Sequence, residues 1–153
     1  MQDLAGIDTQ RVDTSAKYDL AQIVRFKHGT YGRGAWCYGQ ADEAIAAGEF
    51  VFVNETDGGL TLLDTTESAS TPQLVGAADA AIASGSYGWV WVGEGTFEAE
   101  VDDSVAAGTL LTTIATAGEV GTGGDAIAGL TNVDAGVNGT RVTVQATGIM
   151  RVN

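Results

Sequence analysis

The chain has 153 residues, a single cysteine, a single proline, 22 glycines and a formal net charge of −13. That length suits one domain with its own core. Cys37 alone rules out an intrachain disulfide and a cysteine zinc site, and no apolar run approaches the ~20 residues that cross a bilayer as a helix.

The acidic charge sets the chain against nucleic acid and anionic lipid, so neither a nucleic-acid nor a membrane partner is expected. The charge is uneven. Residues 1–33 carry five bases (Arg11, Lys17, Arg25, Lys27, Arg33) against four acids, a sum of +1, and the remainder sums to −14. The amino terminus, Met1-Gln2-Asp3-Leu4, has neither the basic start nor the apolar core of a secretory signal.

Residues 1–17 are polar and aperiodic, which predicts a flexible N-terminal arm, with residues 18–153 forming a single β-rich domain. Ile23–Lys27 reads as a first strand. His28 to Gly34 is a glycine loop, with His28 expected to be an exposed loop residue. Trp36, Cys37 and Tyr38 open the next strand, and the apolar run Phe50–Val53 is expected to be covered on both faces. Asp57-Gly58-Gly59 turns the chain into Leu60–Leu63. Residues 65–72 are a polar loop. In Gln73–Ala83, Leu74, Ala77, Ala78, Ala81 and Ile82 fit helical spacing, so at most one short helix is expected there, weakened by Gly76. Tyr87, Trp89 and Trp91 then alternate with Gly88, Val90 and Val92, an aromatic row opposite a small, branched row. Gly93-Glu94-Gly95 followed by Thr96–Val101 reads as a hairpin. Leu110-Leu111 starts another strand, and 126–138 is ambiguous. Asn138-Gly139 is a two-residue turn signal leading into the alternating strand Arg141–Thr147, and Ile149–Val152 is a last short strand. The fold class is all-β: a compact β-barrel or β-tulip-like domain of many short strands.

One phrase recurs. Ala41-Asp42-Glu43-Ala44-Ile45-Ala46-Ala47-Gly48 matches Val101-Asp102-Asp103-Ser104-Val105-Ala106-Ala107-Gly108, and each copy is followed ten residues on by a glycine, Gly58 or Gly118. The match fits either an internal duplication or reuse of one turn chemistry.

Signals for catalysis are weak. His28 stands alone, and Cys37 between Trp36 and Tyr38 reads as a buried structural thiol without a partner base. The glycine loops lack phosphate-cradle order, and the acidic pairs Asp42-Glu43 and Asp102-Asp103 lack calcium-loop spacing. No catalytic residue, cofactor site or metal site is assigned, and the chain is not expected to be an enzyme. Tyr87, Trp89 and Trp91 are candidates for core or subunit interface, with a sugar-binding platform as the alternative.

The run Ala83–Val92 (ASGSYGWVWV), with Val105–Leu110 (VAAGTL) and Gly118-Glu119-Val120, resembles the head decoration, or cement, proteins of tailed bacteriophages. The likeness spans roughly residues 20–153 and is concentrated in 74–120. It implies a structural virion protein on the outer capsid surface, made in the host cytoplasm. Such a protein sits as trimers at local three-fold positions, binds the major capsid protein and stabilises the expanded shell. On this reading Arg11, Lys17, Arg25, Lys27 and Arg33 supply capsid docking contacts. A tail or fibre component, or a glycan-binding surface module, is the alternative.

Overall fold

The computed structural model describes residues 6–65, 72–137 and 140–152. Eleven strands follow one another: β1 (Ile23–His28), β2 (Gly32–Ala41), β3 (Phe50–Val53), β4 (Gly59–Leu62), β5 (Gln73–Ala78), β6 (Tyr87–Glu100), β7 (Leu110–Thr113), β8 (Val120–Gly121), β9 (Ala126–Asn132), β10 (Arg141–Ile149) and β11 (Arg151–Val152). The described residues contain no helix, and the fold is all-β.

Three local expectations change. The stretch with helical spacing, Gln73–Ala83, opens with β5 instead. Leu74 to Ala78 is buried at every position, because the strand is packed on both faces and tertiary cover overrides local propensity. The hairpin expected at Gly93-Glu94-Gly95 is absent, and β6 runs straight through it for 14 residues. These three residues have φ of 129°, 60° and 106°, so they kink the strand without reversing it. The kink survives because each half of β6 keeps its own ladder. Residues 87–93 pair with β2, and residues 95–100 pair with β10. The ambiguous stretch becomes β9. The Asn138-Gly139 turn and most of the 65–72 loop lie outside the described residues. Beside that turn, the Thr140 amide donates to the Val137 carbonyl at 3.0 Å.

The pairings close into two rings that share β6. In ring 1 the order is β2, β4, β3, β5, β6 and back to β2, with β2 and β4 parallel and the other pairs antiparallel. In ring 2 it is β6, β10, β9, β7, β8, closed by a parallel bridge between Val101 and Val120. β1 is attached to β2, and β11 ties β5 to β9.

Strand alternation sorts the side chains into two cores. Cys37, Val51, Val53, Leu60, Leu74, Val90 and Val92 fill ring 1. Its bore is narrow. A Cβ on Gly39 would lie 2.6 Å from the Gly58 carbonyl oxygen, and one on Gly88 would lie 2.5 Å from Ile82 Cδ1. The opposite faces of the same strands carry Trp36, Tyr38, Phe50, Trp89 and Trp91, which merge with Phe97, Leu111, Leu130 and Val144 of ring 2 in a second cluster. The aromatic row and the branched row of β6 therefore serve different cores.

The recurring phrase marks a duplication that the hydrogen bonds make explicit. The Asp42 amide donates to Leu60 at 3.0 Å, and the Asp102 amide donates to Val120 at 2.9 Å. Gly48 donates to Ala78 at 2.7 Å, and Gly108 donates to Asn132 at 2.8 Å. A third copy, Ala78-Asp79-Ala80-Ala81-Ile82-Ala83-Ser84-Gly85, overlaps the end of the stretch with helical spacing. It packs against the first copy about a local two-fold axis: Gly85 donates to Ala41 at 2.7 Å, and Ile45 and Ile82 exchange bonds of 2.9 and 2.8 Å. Each ring is thus one copy of a five-stranded unit.

Candidate functional site

Of the five bases expected to dock, three converge. Arg25 and Lys27 on β1 and Arg33 on β2 line a groove of about 760 Å3, bounded by the β6 kink at Glu94 and Gly95 and by Ala146 and Thr147 of β10. The hairpin register fixes this grouping, because Lys27 and Arg33 are direct cross-strand partners. Like charges directly opposite each other are destabilising. Neither has an ion-pair partner among the described residues. Arg25 is held differently. Its guanidinium grips the Glu94 carboxylate, with Nε 2.9 Å from both oxygens and Nη2 2.8 Å from one. The groove thus carries three bases against one acid in a chain of net charge −13.

Lys17 lies in a neighbouring groove of about 490 Å3, beside Tyr18, Val24 and Trp89. Arg11 is engaged within the arm, 2.8 Å from Asp13.

Residues 7–13 of the arm are fastened to the protein's own sheet. Asp13 is buried, exchanges backbone bonds of 2.9 and 2.8 Å with Tyr87, and accepts the Tyr38 hydroxyl at 2.8 Å. Burial, and then this bond to Asp13, push the Tyr38 phenol well above its ordinary range. Thr9 is buried too. Its hydroxyl donates to Asp79 at 2.5 Å and lies 2.9 Å from His28 Nε2.

His28 is therefore not an exposed loop residue. It closes β1, is 3% exposed, and stacks on Tyr31 and Trp36. Its Nδ1 accepts the amides of Thr30 and Tyr31 at 3.0 and 3.2 Å, which leaves Nε2 as the protonated nitrogen of a neutral ring. The proton of Thr9 is committed to the carboxylate, so the cluster acts as a clamp on the arm. No sequence signal pointed to it, because Thr9 and Asp79 stand 70 residues apart.

Trp91 is fully buried, Trp89 is 3% exposed and Tyr87 is half-buried, so the two tryptophans of the aromatic row are core residues within this chain. Tyr18 covers Trp89 at a ring distance of 5.1 Å. Cys37 points into ring 1, and burial pushes its thiol up to about 12. Among the described residues no group of three His, Cys, Asp or Glu side chains converges in a way that would hold a metal ion.

No protein family, curated protein or solved structure matches the chain.

Proposed function

We propose that the protein is a structural virion component that binds the outer surface of a tailed-phage capsid through the groove of Arg25, Lys27 and Arg33. It does so as trimers at local three-fold positions, and it stabilises the expanded shell. The observation that carries this reading is the Lys27–Arg33 pair. Two bases are held opposite each other with no ion-pair partner among the described residues, in a chain whose other residues are strongly acidic. That arrangement costs stability in the free chain and is relieved by an acidic surface. The two-core scaffold suits the role, since closed rings leave few edges for unwanted pairing. The partner is the major capsid protein. Trimer contacts fall to Leu110, Val133 and Val137, the exposed apolar residues near the ring 2 corners.

Stabilisation follows from mass action. A ligand that binds only the assembled, expanded lattice lowers its free energy at every site, so many modest contacts add up. The sign of the contact predicts that docking weakens as salt is added, while association between copies, which brings like charges together, tightens.

The test is occupancy. Quantitative mass spectrometry of purified particles should give about one copy per capsid subunit, the ratio expected of trimers at every local three-fold position. The double variant Lys27→Glu/Arg33→Glu should be lost from expanded capsids while remaining folded. A handful of copies per particle would move the protein to the tail or a fibre. Absence from particles would bring the glycan-binding module forward.

A further inference from the structure

We propose that β1 is an open edge that takes an extended segment of the partner protein, alternating acidic and apolar residues, as an added strand. The inference rests on the docking reading above and specifies how the basic groove is used. Among the described residues, every other strand of more than two residues is paired on both sides, whereas β1 is bonded only to β2. No backbone bond from a described residue reaches its free side. Six residues of edge leave about three outward-facing positions, enough to seat a short strand roughly 4.8 Å away.

The side chains specify the occupant. Val24 and Phe26 lie on one face of β1, both only half-buried, and each lines one of the two grooves that flank the strand. Arg25 and Lys27 lie on the other face and are exposed. Together the grooves hold four of the chain's seven bases, Lys17, Arg25, Lys27 and Arg33. In an added strand, alternate residues face opposite sides. Apolar residues would therefore cover Val24 and Phe26, while carboxylates would meet Arg25 and Lys27 and neutralise the Lys27–Arg33 opposition. A second copy of β1 is disfavoured as the occupant, because edge bases repel an identical edge.

The test uses two ten-residue, amino-acetylated probes, one alternating valine with glutamate and one alternating valine with lysine. They are added to the full chain and followed by backbone amide hydrogen exchange. The glutamate probe is expected to slow exchange of outward-facing amides in β1, leave β8 unchanged, and bind at least about tenfold more tightly than the lysine probe. Arg25→Glu/Lys27→Glu, both exposed positions, should reverse that preference. Binding of both probes alike, or binding without protection of β1, would overturn strand addition. Occupancy on capsids separates the two claims. If Lys27→Glu/Arg33→Glu is lost from capsids but β1 is never protected, the docking face stands and the added strand falls. If that variant is retained as well as the wild type, the docking reading itself fails.

Discussion

Ring 1 and ring 2 are copies of one unit, yet they are covered differently. In ring 1, β2, β3 and β5 are packed on both faces, so β3 reads as an unbroken apolar run, Phe50-Val51-Phe52-Val53, buried at every position. The equivalent β7, Leu110-Leu111-Thr112-Thr113, alternates, and Leu110 is 64% exposed. The corner that follows β5 carries buried Asp79, clamped by the arm. Its counterpart in ring 2 is Val133, which is exposed. The arm and β1 thus lie over ring 1, and among the described residues nothing takes the matching place on ring 2. One duplicated fold has been given a finished side and an open side.

The largest expected effect tests that contrast at the matched strand starts. Phe50→Ala should cost about 3–5 kcal/mol of unfolding free energy in urea, as a fully buried aromatic truncation does. Leu110→Ala should change it by no more than about 0.5 kcal/mol, because little area is removed from cover. Equal costs would mean that Leu110 is buried in the protein as it exists in solution, which would point to association through the ring 2 corners.

Next comes the bore. Gly39 in ring 1 and Ala99 in ring 2 occupy equivalent places. A Cβ on Gly39 meets the Gly58 carbonyl oxygen at 2.6 Å, a backbone atom with little freedom to yield. Gly39→Ala should destabilise by about 2–3 kcal/mol through overpacking. Ala99→Gly should cost only about 1 kcal/mol, for a lost methyl and added chain entropy. Thermal unfolding of the two variants side by side measures the difference in bore width.

The arm clamp is expected to be of similar or smaller size. Thr9→Val removes the hydroxyl between His28 and Asp79 and leaves buried polar atoms without that partner, at a cost of about 2 kcal/mol. The equivalent ring 2 site is surface, so Val133→Asp should be within about 0.5 kcal/mol of neutral. Amide exchange should show residues 7–13 released in Thr9→Val while the rings stay protected.

Much of this contrast was legible in residue order, but only where a local rule reports a tertiary fact. The run Phe50–Val53 announced two-sided burial, and Tyr87, Trp89 and Trp91 opposite Val90 and Val92 announced two different faces. The repeated corner gave half of the duplication. The third copy, Ala78–Gly85, escaped because its alanines also fit a helix, and only the pairing of Ile82 with Ile45 of the first copy fixes it as a corner. The β6 kink escaped because Gly-Glu-Gly is the chemistry of a hairpin loop. Whether it turns depends on which strands await each half. Of the basic groove, the residue types were legible and the grouping was not. Lys27 and Arg33 become neighbours through hairpin register, whereas Arg11 is drawn off by Asp13.

The smallest predicted effect is electrostatic and again compares matched sites. Glu119 in ring 2 lies among Glu100, Asp102, Asp103 and Glu49, and its ring 1 counterpart is Gly59, which adds no carboxyl of its own beside Asp42 and Asp57. Burial first, and then these acids, raise the Glu119 carboxyl above its ordinary value of 4.5. A raised folded-state value means that the folded protein holds this proton more tightly than the unfolded chain. The stability tied to it is complete below 4.5 and is lost as pH rises through the folded value. Glu119→Gln, which has no proton to lose, should therefore match the wild type in acid and exceed it at neutral pH. The gain should be only about 0.3–0.5 kcal/mol, because the site is largely solvated. Added salt should shrink the gain further by screening the surrounding acids. A gain that persists unchanged below pH 4.5 would assign it to packing or hydrogen bonding at the ring 2 mouth, not to charge.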